Sequence, residues 1–149
     1  MIKRRYMVYD VFADEPLAGN PLAVVLDGEG LDTAAMQRIA GEFNLSETVF
    51  VGTPQNPAHA ARVRIFTPRV ELPFAGHPTV GTAIALAEAR AAGLAVGTSE
   101  ILVIEEEVGP VRCAVSRGTG VTFAEFDLPR LPARVDFGVV PERVAAALD

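Results

Sequence analysis

The order of apolar and polar residues along the chain predicts short strands bounded by glycine, proline or asparagine. Positions 6–13 are rich in β-branched and aromatic residues, and turn-forming residues separate them from a second apolar run at 21–26. This pattern is typical of two strands paired as a hairpin. Positions 61–67 alternate between apolar side chains and arginines, as expected of a half-exposed antiparallel strand. The same criteria predict further strands at 47–51, 101–105, 110–116 and 121–128.

Two longer segments have helical periodicity. Apolar residues recur at intervals of three and four after Asp32, a favourable N-cap, which predicts an amphipathic helix ending near Asn44. Positions 79–92 are apolar around most of a helical circumference, with Pro78 at the first helical position, so this helix should be enclosed by the domain. A third helix is predicted at 141–148. The pattern indicates an α+β fold of about seven mostly antiparallel strands, one central apolar helix and one flanking amphipathic helix.

Composition narrows the class of protein. The chain has 149 residues, half of them apolar, which suits one domain with one core. A net charge of −6 without a basic cluster disfavours nucleic acid as a partner. The chain lacks an apolar run long enough to span a membrane, and acidic residues follow the N-terminus where a signal peptide would be apolar. The single cysteine, Cys113, is expected in the core of a strand, and the composition favours a cytoplasmic location.

The segment around Gly76 and His77 is the first candidate for chemistry. It begins the predicted enclosed helix, and a buried helix N-terminus offers unpaired N–H groups and partial positive charge to an anion such as a substrate carboxylate. The structural alternative is that Gly76 shapes a turn, His77 caps the helix, and Gly81 permits tight packing. The segment alone leaves both interpretations open.

Glu47 is the second candidate, because it lies where a helix is followed by an apolar strand. A carboxylate in such a place is partly desolvated and suited to proton transfer. The alternative is a solvated loop glutamate. His59, in the loop at 56–59, is expected to be exposed. With two histidines far apart and one cysteine, the composition does not favour a zinc site.

Five short motifs follow one another along the chain: DVF at 10–12, GNPLAV at 19–24, NLSET at 44–48, RIFTP at 64–68 and ELPFAGHPT at 71–79. In this order they resemble the phenazine-biosynthesis-like isomerase family, PhzF, and the match extends from residue 6 to about residue 128. The resemblance implies a fold related to diaminopimelate epimerase. In that fold two similar lobes each wrap a strongly curved sheet around a central helix, and the active site lies between the lobes.

The resemblance also implies a division of the chain and an activity. Residues 1–128 would form the N-terminal lobe, and residues 129–149 a linker and the first helix of a second lobe that the chain does not contain. The implied activity is a cofactor-independent isomerase or epimerase, without a metal, that acts on a small carboxylate-bearing metabolite. The alternative is a non-catalytic fragment or a small-carboxylate-binding module.

The family's motifs assign roles to four residues. Glu47 would be the general acid/base that moves a proton between substrate carbons. His77 would assist proton transfer or orientation, and Gly76, His77 and Ser46 would bind the substrate. Glu47 and His77 are therefore expected to face one cleft.

The sequence also leads to an expectation about association of the chain with a second copy of itself. Without a second lobe, the face around the cleft should present an apolar patch that includes Leu72, Pro73 and Phe74. Contiguous apolar surface tends to find a partner, and a twofold pair is the most common closed assembly. The sequence therefore predicts a homodimer, through this face or through an open sheet edge.

Overall fold

The fold is a strongly curved sheet that encloses one helix and carries a second on its outside. The computed structural model describes residues 3–90, 95–133, 138 and 141–147. Its elements, in chain order, are β1 (Tyr6–Val11), β2 (Asn20–Val25), α1 (Thr33–Phe43), β3 (Glu47–Gly52), β4 (Ala61–Phe66), β5 (Glu71–Leu72), α2 (Gly76–Ala89), β6 (Ser99–Glu106), β7 (Gly109–Arg117), β8 (Thr122–Phe126) and α3 (Pro141–Ala145).

All the strands belong to one sheet in the order β1-β2-β3-β4-β6-β7-β8, with β5 paired beside β6 on the same edge of β4. The predicted hairpin of β1 and β2 and the predicted antiparallel run β6-β7-β8 are confirmed. Two pairs are parallel, β2 with β3 and β4 with β6. Parallel neighbours need a crossover connection, and α1 provides it between β2 and β3.

Strand β5 was not among the strands predicted from the sequence. Glu71 and Leu72 pair with Phe66 and Ile65 of β4. A two-residue strand is too short to show alternation. Strand β1 is also shorter than predicted, because Phe12 adopts a left-handed backbone with φ 64° that ends the extended conformation.

Helix α1 begins and ends where its capping residues predict. The Asp32 carboxylate accepts a hydrogen bond from the backbone N–H of Ala35 at 2.7 Å, and Asn44 adopts the left-handed conformation at the C-terminus. These are the usual roles of an aspartate N-cap and an asparagine C-cap. The buried face of α1, with Met36 and Ala40, packs against Phe50 and Phe66 on the outside of the sheet.

Helix α2 is enclosed, as predicted. Ala83, Ala85 and Ala87 are fully buried and belong to the main core with residues of most of the strands. The prediction that Pro78 occupies the first helical position is wrong, because the helix begins at Gly76. Proline is tolerated two residues later because the first-turn N–H groups have no partner within the helix. Positions 91 and 92 of the predicted helix lie outside the described residues.

Gly81 allows α2 to lie directly against β1 and β2. A Cβ atom at this position would be 2.5 Å from Cδ2 of Leu22 and 2.8 Å from Cγ2 of Val11. This confirms one part of the structural alternative for this segment, namely that Gly81 permits tight packing.

The C-terminal helix is short in the described residues, where α3 covers Pro141–Ala145. Position 148 of the predicted helix lies outside them, and the division of the chain at residue 128 stays a prediction. In the part of the chain that the structure describes, every helix is too short or too polar to cross a membrane.

Candidate active site

The carboxyl group of Glu47 and the imidazole of His77 are in contact. Glu47 is the first residue of β3 and His77 the second residue of α2. Oε2 of Glu47 lies 2.8 Å from Nδ1 of His77. The side chains are 19 % and 9 % exposed, so Glu47 is not the solvated loop residue of the alternative. The predicted juxtaposition is confirmed, and the roles of the two side chains stay predictions.

Asn20 completes the cluster and was missing from the predicted site. Its backbone carbonyl lies 2.9 Å from Nε2 of His77, and its side-chain oxygen accepts a hydrogen bond from the Ser46 hydroxyl at 2.8 Å. Asn20 begins β2, which runs parallel to β3. Parallel strands begin at the same edge of a sheet, and Asn20 lies there two residues before Leu22, the register partner of Glu47. The GNP motif at 19–21 was the available signal in the sequence for a role of Asn20. However, every residue has a backbone carbonyl, so the sequence does not indicate that this one contacts His77.

Hydrogen-bond chemistry fixes the number of protons in this cluster. The carbonyl of Asn20 can only accept, so Nε2 of His77 carries a hydrogen. The short contact between Nδ1 and Glu47 then requires one more hydrogen, either on the ring as imidazolium or on the carboxylic acid. In both cases a single hydrogen lies between Nδ1 and Oε2. The pair thus holds one transferable proton, which is the requirement for an acid/base group.

The N-terminus of α2 lies at this cluster and is not capped by a side chain. The N-cap residue is Ala75, without a side-chain hydrogen bond, so the alternative in which His77 caps the helix is wrong. At Gly76 a Cβ atom would lie 3.2 Å from Cζ of Phe126, tighter than an ordinary contact. The first-turn N–H groups of α2 thus provide partial positive charge beside Glu47 and His77.

The loop between β1 and β2 presents two large exposed apolar side chains, one of which lies near His77. Phe12 is 72 % exposed, with its ring centroid 6.0 Å from that of His77, and Leu17 is 95 % exposed. Both have positive φ, 64° and 65°. Such a conformation costs a residue with a side chain roughly 1–2 kcal/mol. The Asp10 carboxylate holds the loop by accepting from the N–H of Leu17 at 2.7 Å.

The predicted apolar patch is wrong in its membership. Leu72 and Phe74 are only half-exposed, because Leu72 packs against the core and Phe74 against Phe126 with 5.6 Å between ring centroids. Pro73 is exposed as expected. The large exposed apolar side chain that does lie near His77 is that of Phe12.

His59 and Cys113 lie outside the cluster of Glu47, His77 and Asn20. His59 is not the exposed residue that was predicted, because its Nδ1 lies 2.8 Å from Oε1 of Glu105 and its side chain is 20 % exposed. Glu105 also accepts from the backbone N–H groups of Asn56 and Gln55, which lower the pKa of this carboxyl. Cys113 lies in the core as predicted, and burial raises the pKa of its thiol to about 12.

Across residues 3–90, 95–133, 138 and 141–147, the histidine, cysteine, aspartate and glutamate side chains do not form a group of three that could hold a metal ion.

Comparison with protein families gives a match over most of the chain. The family described as phenazine biosynthesis-like protein, PhzC-PhzF, matches residues 9–137. An uncharacterised isomerase of Mesorhizobium japonicum is 62 % identical over 99 % of this chain and 48 % of its own length. The trans-2,3-dihydro-3-hydroxyanthranilate isomerase of Pseudomonas aeruginosa is 45 % identical over 95 % of this chain and 48 % of its own length.

A solved structure agrees with these relatives. A predicted epimerase from Pseudomonas aeruginosa matches with a TM-score of 0.75 and 38 % identity, over 84 % of this chain and 43 % of that structure. The predicted α+β fold, with a curved sheet around a central helix, is thereby confirmed. The chain spans about half the length of the relatives it matches.

Proposed function

The chain belongs to the phenazine biosynthesis-like protein family, PhzC-PhzF, and from this premise we propose that it moves a proton between carbons of a small carboxylate-bearing metabolite. Its relatives are named as isomerases, so an isomerase is the activity that the resemblance supports. The proton-shuttling role of Glu47, the class of substrate and the independence from a cofactor are our proposals.

The observation that carries the proposal is the contact between Glu47 and His77 at the start of an enclosed helix. Oε2 of Glu47 faces His77, which leaves Oε1 for the substrate. As a carboxylate, Glu47 would take a proton from one carbon, and as a carboxylic acid it would return the proton to another. A C–H bond breaks and another forms, so the step needs neither oxidant nor reductant. His77, held by Asn20, would orient Glu47 and share its proton.

The first turn of α2 would hold the carboxylate of the substrate. The N–H groups of Gly76 and His77 have no acceptor within the helix, and the absence of a Cβ at Gly76 keeps the backbone accessible. Ser46 lies beside them and donates its hydroxyl hydrogen to Asn20. Its proposed contact with substrate would therefore use the lone pairs of the hydroxyl oxygen.

Relatives suggest a first compound for an assay. One of them is named for trans-2,3-dihydro-3-hydroxyanthranilate, a small carboxylate, so we choose that compound. We expect incubation with this chain in D2O to give an isomerised product, detected by NMR. Its deuterium content, measured by mass spectrometry, reports how often the hydrogen held by Glu47 exchanges with solvent before it is returned. A folded protein that gives no isomerised product, with or without deuterium, would contradict the isomerase.

A second candidate function rests on the length of the chain, about half that of its relatives. A lobe that retains the helix N-terminus without the remainder of the site could bind a carboxylate without converting it. In the same experiment, saturable shifts of the Gly76 and His77 amide signals without turnover would favour this binding module and exclude the isomerase.

We also propose that the chain forms a homodimer, in the cytoplasm, with Phe12 and Leu17 in the interface. Phe12 lines a groove of about 890 Å³ between β1 and β8, and Leu17 of the same loop is also exposed. Sedimentation at micromolar concentration should give twice the monomer mass of 15.8 kDa. Replacing Phe12 and Leu17 by Asn, which tolerates positive φ, should give a folded monomer. A parent protein at 15.8 kDa would contradict the dimer.

A further inference from the structure

Glu106 is a buried acid that the proposed mechanism does not use. It is the last residue of β6 and only 7 % exposed. Its Oε1 atom lies 2.7 Å from the Thr79 hydroxyl of α2. Its Oε2 atom is buried without a hydrogen-bond partner among the described residues. Since buried charge without a partner is costly, the environment of Glu106 favours its neutral form.

The hydroxyl of Thr79 gives an independent reason for the neutral form. Oγ1 of Thr79 also lies 2.8 Å from the carbonyl oxygen of Ala75. A carbonyl can only accept, and a hydroxyl has one hydrogen. Both contacts are hydrogen bonds only if Glu106 is protonated and donates to Thr79, which in turn donates to Ala75. Burial raises the pKa of Glu106 to about 7, although the hydrogen bond that Thr79 would donate to the ionised carboxylate opposes this shift.

This chain of hydrogen bonds ends directly at the candidate site. Ala75 is the N-cap residue of α2 and precedes Gly76 and His77. Glu106 therefore lies behind the same helical turn that would hold a carboxylate. A negative charge close to a helix N-terminus reduces the attraction of that terminus for a second anion. Ionisation would also take the Thr79 hydrogen away from Ala75.

We propose that Glu106 is a positioning residue for carboxylate binding: its neutral form orders the first turn of α2 through Thr79, and its ionisation weakens binding at that turn. The binding part of this proposal rests on the proposed function. The coupling between Glu106 and the turn does not, and can be measured without a ligand.

Other titratable and charged groups face Glu106 or the turn. Cys113 of β7 stays neutral because its pKa is raised. Glu47 and His77 lie on the other side of the first turn of α2. The cavities beside Glu106 are also lined by Arg62, Arg64, Glu71, Glu107, His59 and Glu105. Of these, Arg64 is paired with Glu71 and His59 with Glu105. Histidines titrate in the same pH range as the proposed switch, so His59 needs its own control.

The experiment compares wild type, Glu106→Gln and the control His59→Asn at pH 6 and pH 8. Benzoate is the probe, and the amide signals of Gly76 and His77 report binding by NMR. In wild type we expect the affinity for benzoate to fall roughly ten-fold at the higher pH, within the usual range of coupling between sites. In Glu106→Gln the affinity for benzoate should fall much less between pH 6 and pH 8, whereas in His59→Asn it should fall as much as in wild type. An equal fall in wild type and Glu106→Gln would overturn the proposal.

A titration without benzoate separates this proposal from the proposed function. The amide shifts of Gly76 and Thr79 should change with a midpoint near pH 7 in wild type and in Thr79→Ser, which keeps the hydroxyl. The change should be absent in Glu106→Gln and reduced in Thr79→Val. If benzoate binds no form, the carboxylate site is wrong and this titration alone decides the coupling. Persistence of the midpoint in folded Glu106→Gln refutes the coupling.

Discussion

Replacement of Glu47 by Gln is expected to lower the rate of isomerisation by roughly 10²–10⁴-fold, the range that a general acid/base contributes. Glutamine preserves the shape of the side chain and can still hydrogen-bond to Nδ1 of His77, but its amide cannot accept and return a proton. The measurement is the rate at which the isomerised product forms from trans-2,3-dihydro-3-hydroxyanthranilate, followed by NMR. Affinity for a carboxylate should change little, because the binding N–H groups belong to Gly76 and His77.

The matched control is Glu42→Gln, which makes the same chemical change at an exposed position of α1. Its rate and thermal midpoint should equal those of the parent. Turnover of folded Glu47→Gln within a few-fold of the parent would remove Glu47 from the mechanism. A loss of turnover accompanied by unfolding would instead assign Glu47 a structural role.

Replacement of Gly81 by Ala should destabilise the domain by about 1–3 kcal/mol, the usual cost of adding a methyl group to a filled core. The added Cβ would lie 2.5 Å from Cδ2 of Leu22 and 2.8 Å from Cγ2 of Val11. Both neighbours are buried, Leu22 completely, so neither can move into solvent. This cost exceeds the preference of helices for Ala over Gly, which is roughly 1 kcal/mol.

Gly41→Ala in α1 is the matched control, with the opposite expected sign. The nearest atom to a Cβ at Gly41 is the carbonyl oxygen of Pro68 at 3.9 Å, so the alanine fits and helix preference should raise the free energy of unfolding by about 0.5–1 kcal/mol. Urea denaturation of both variants measures the difference. If Gly81→Ala also raised the free energy of unfolding, the close approach of α2 to the sheet would be wrong.

Local signals in the sequence predicted the elements that have local causes. The N-cap of α1 at Asp32 and its end at Asn44 follow from side-chain chemistry within one turn. The alternation at 61–67 places Val63 and Ile65 in the core. The contact between Glu47 and His77 was predictable from the family motifs, because a shared reaction requires the two side chains to be close.

Features that depend on distant residues were not predictable in this way. The residue pattern of a strand does not name its neighbour, so the parallel pairs β2–β3 and β4–β6 emerge only from the structure. The role of Asn20 at His77 belongs to a backbone carbonyl, which every residue has. Glu106 is the middle one of three consecutive glutamates. A run of charged residues of this kind is typical of a solvated turn. Its burial follows from continuing the inward face of Leu102 and Ile104 to the end of β6.

The enclosure of α2 also has a consequence for biosynthesis. Residues 76–89 are translated before 99–126, which form β6, β7 and β8, so part of the wall around the helix does not yet exist when the helix emerges from the ribosome. During that interval Val80 and Ile84, which pack against the core in the finished fold, have incomplete cover. Exposed apolar segments of incomplete chains associate with other chains. Nascent chains in which residues 76–89 have left the ribosome while residues 99–126 have not should therefore be the form most dependent on chaperones.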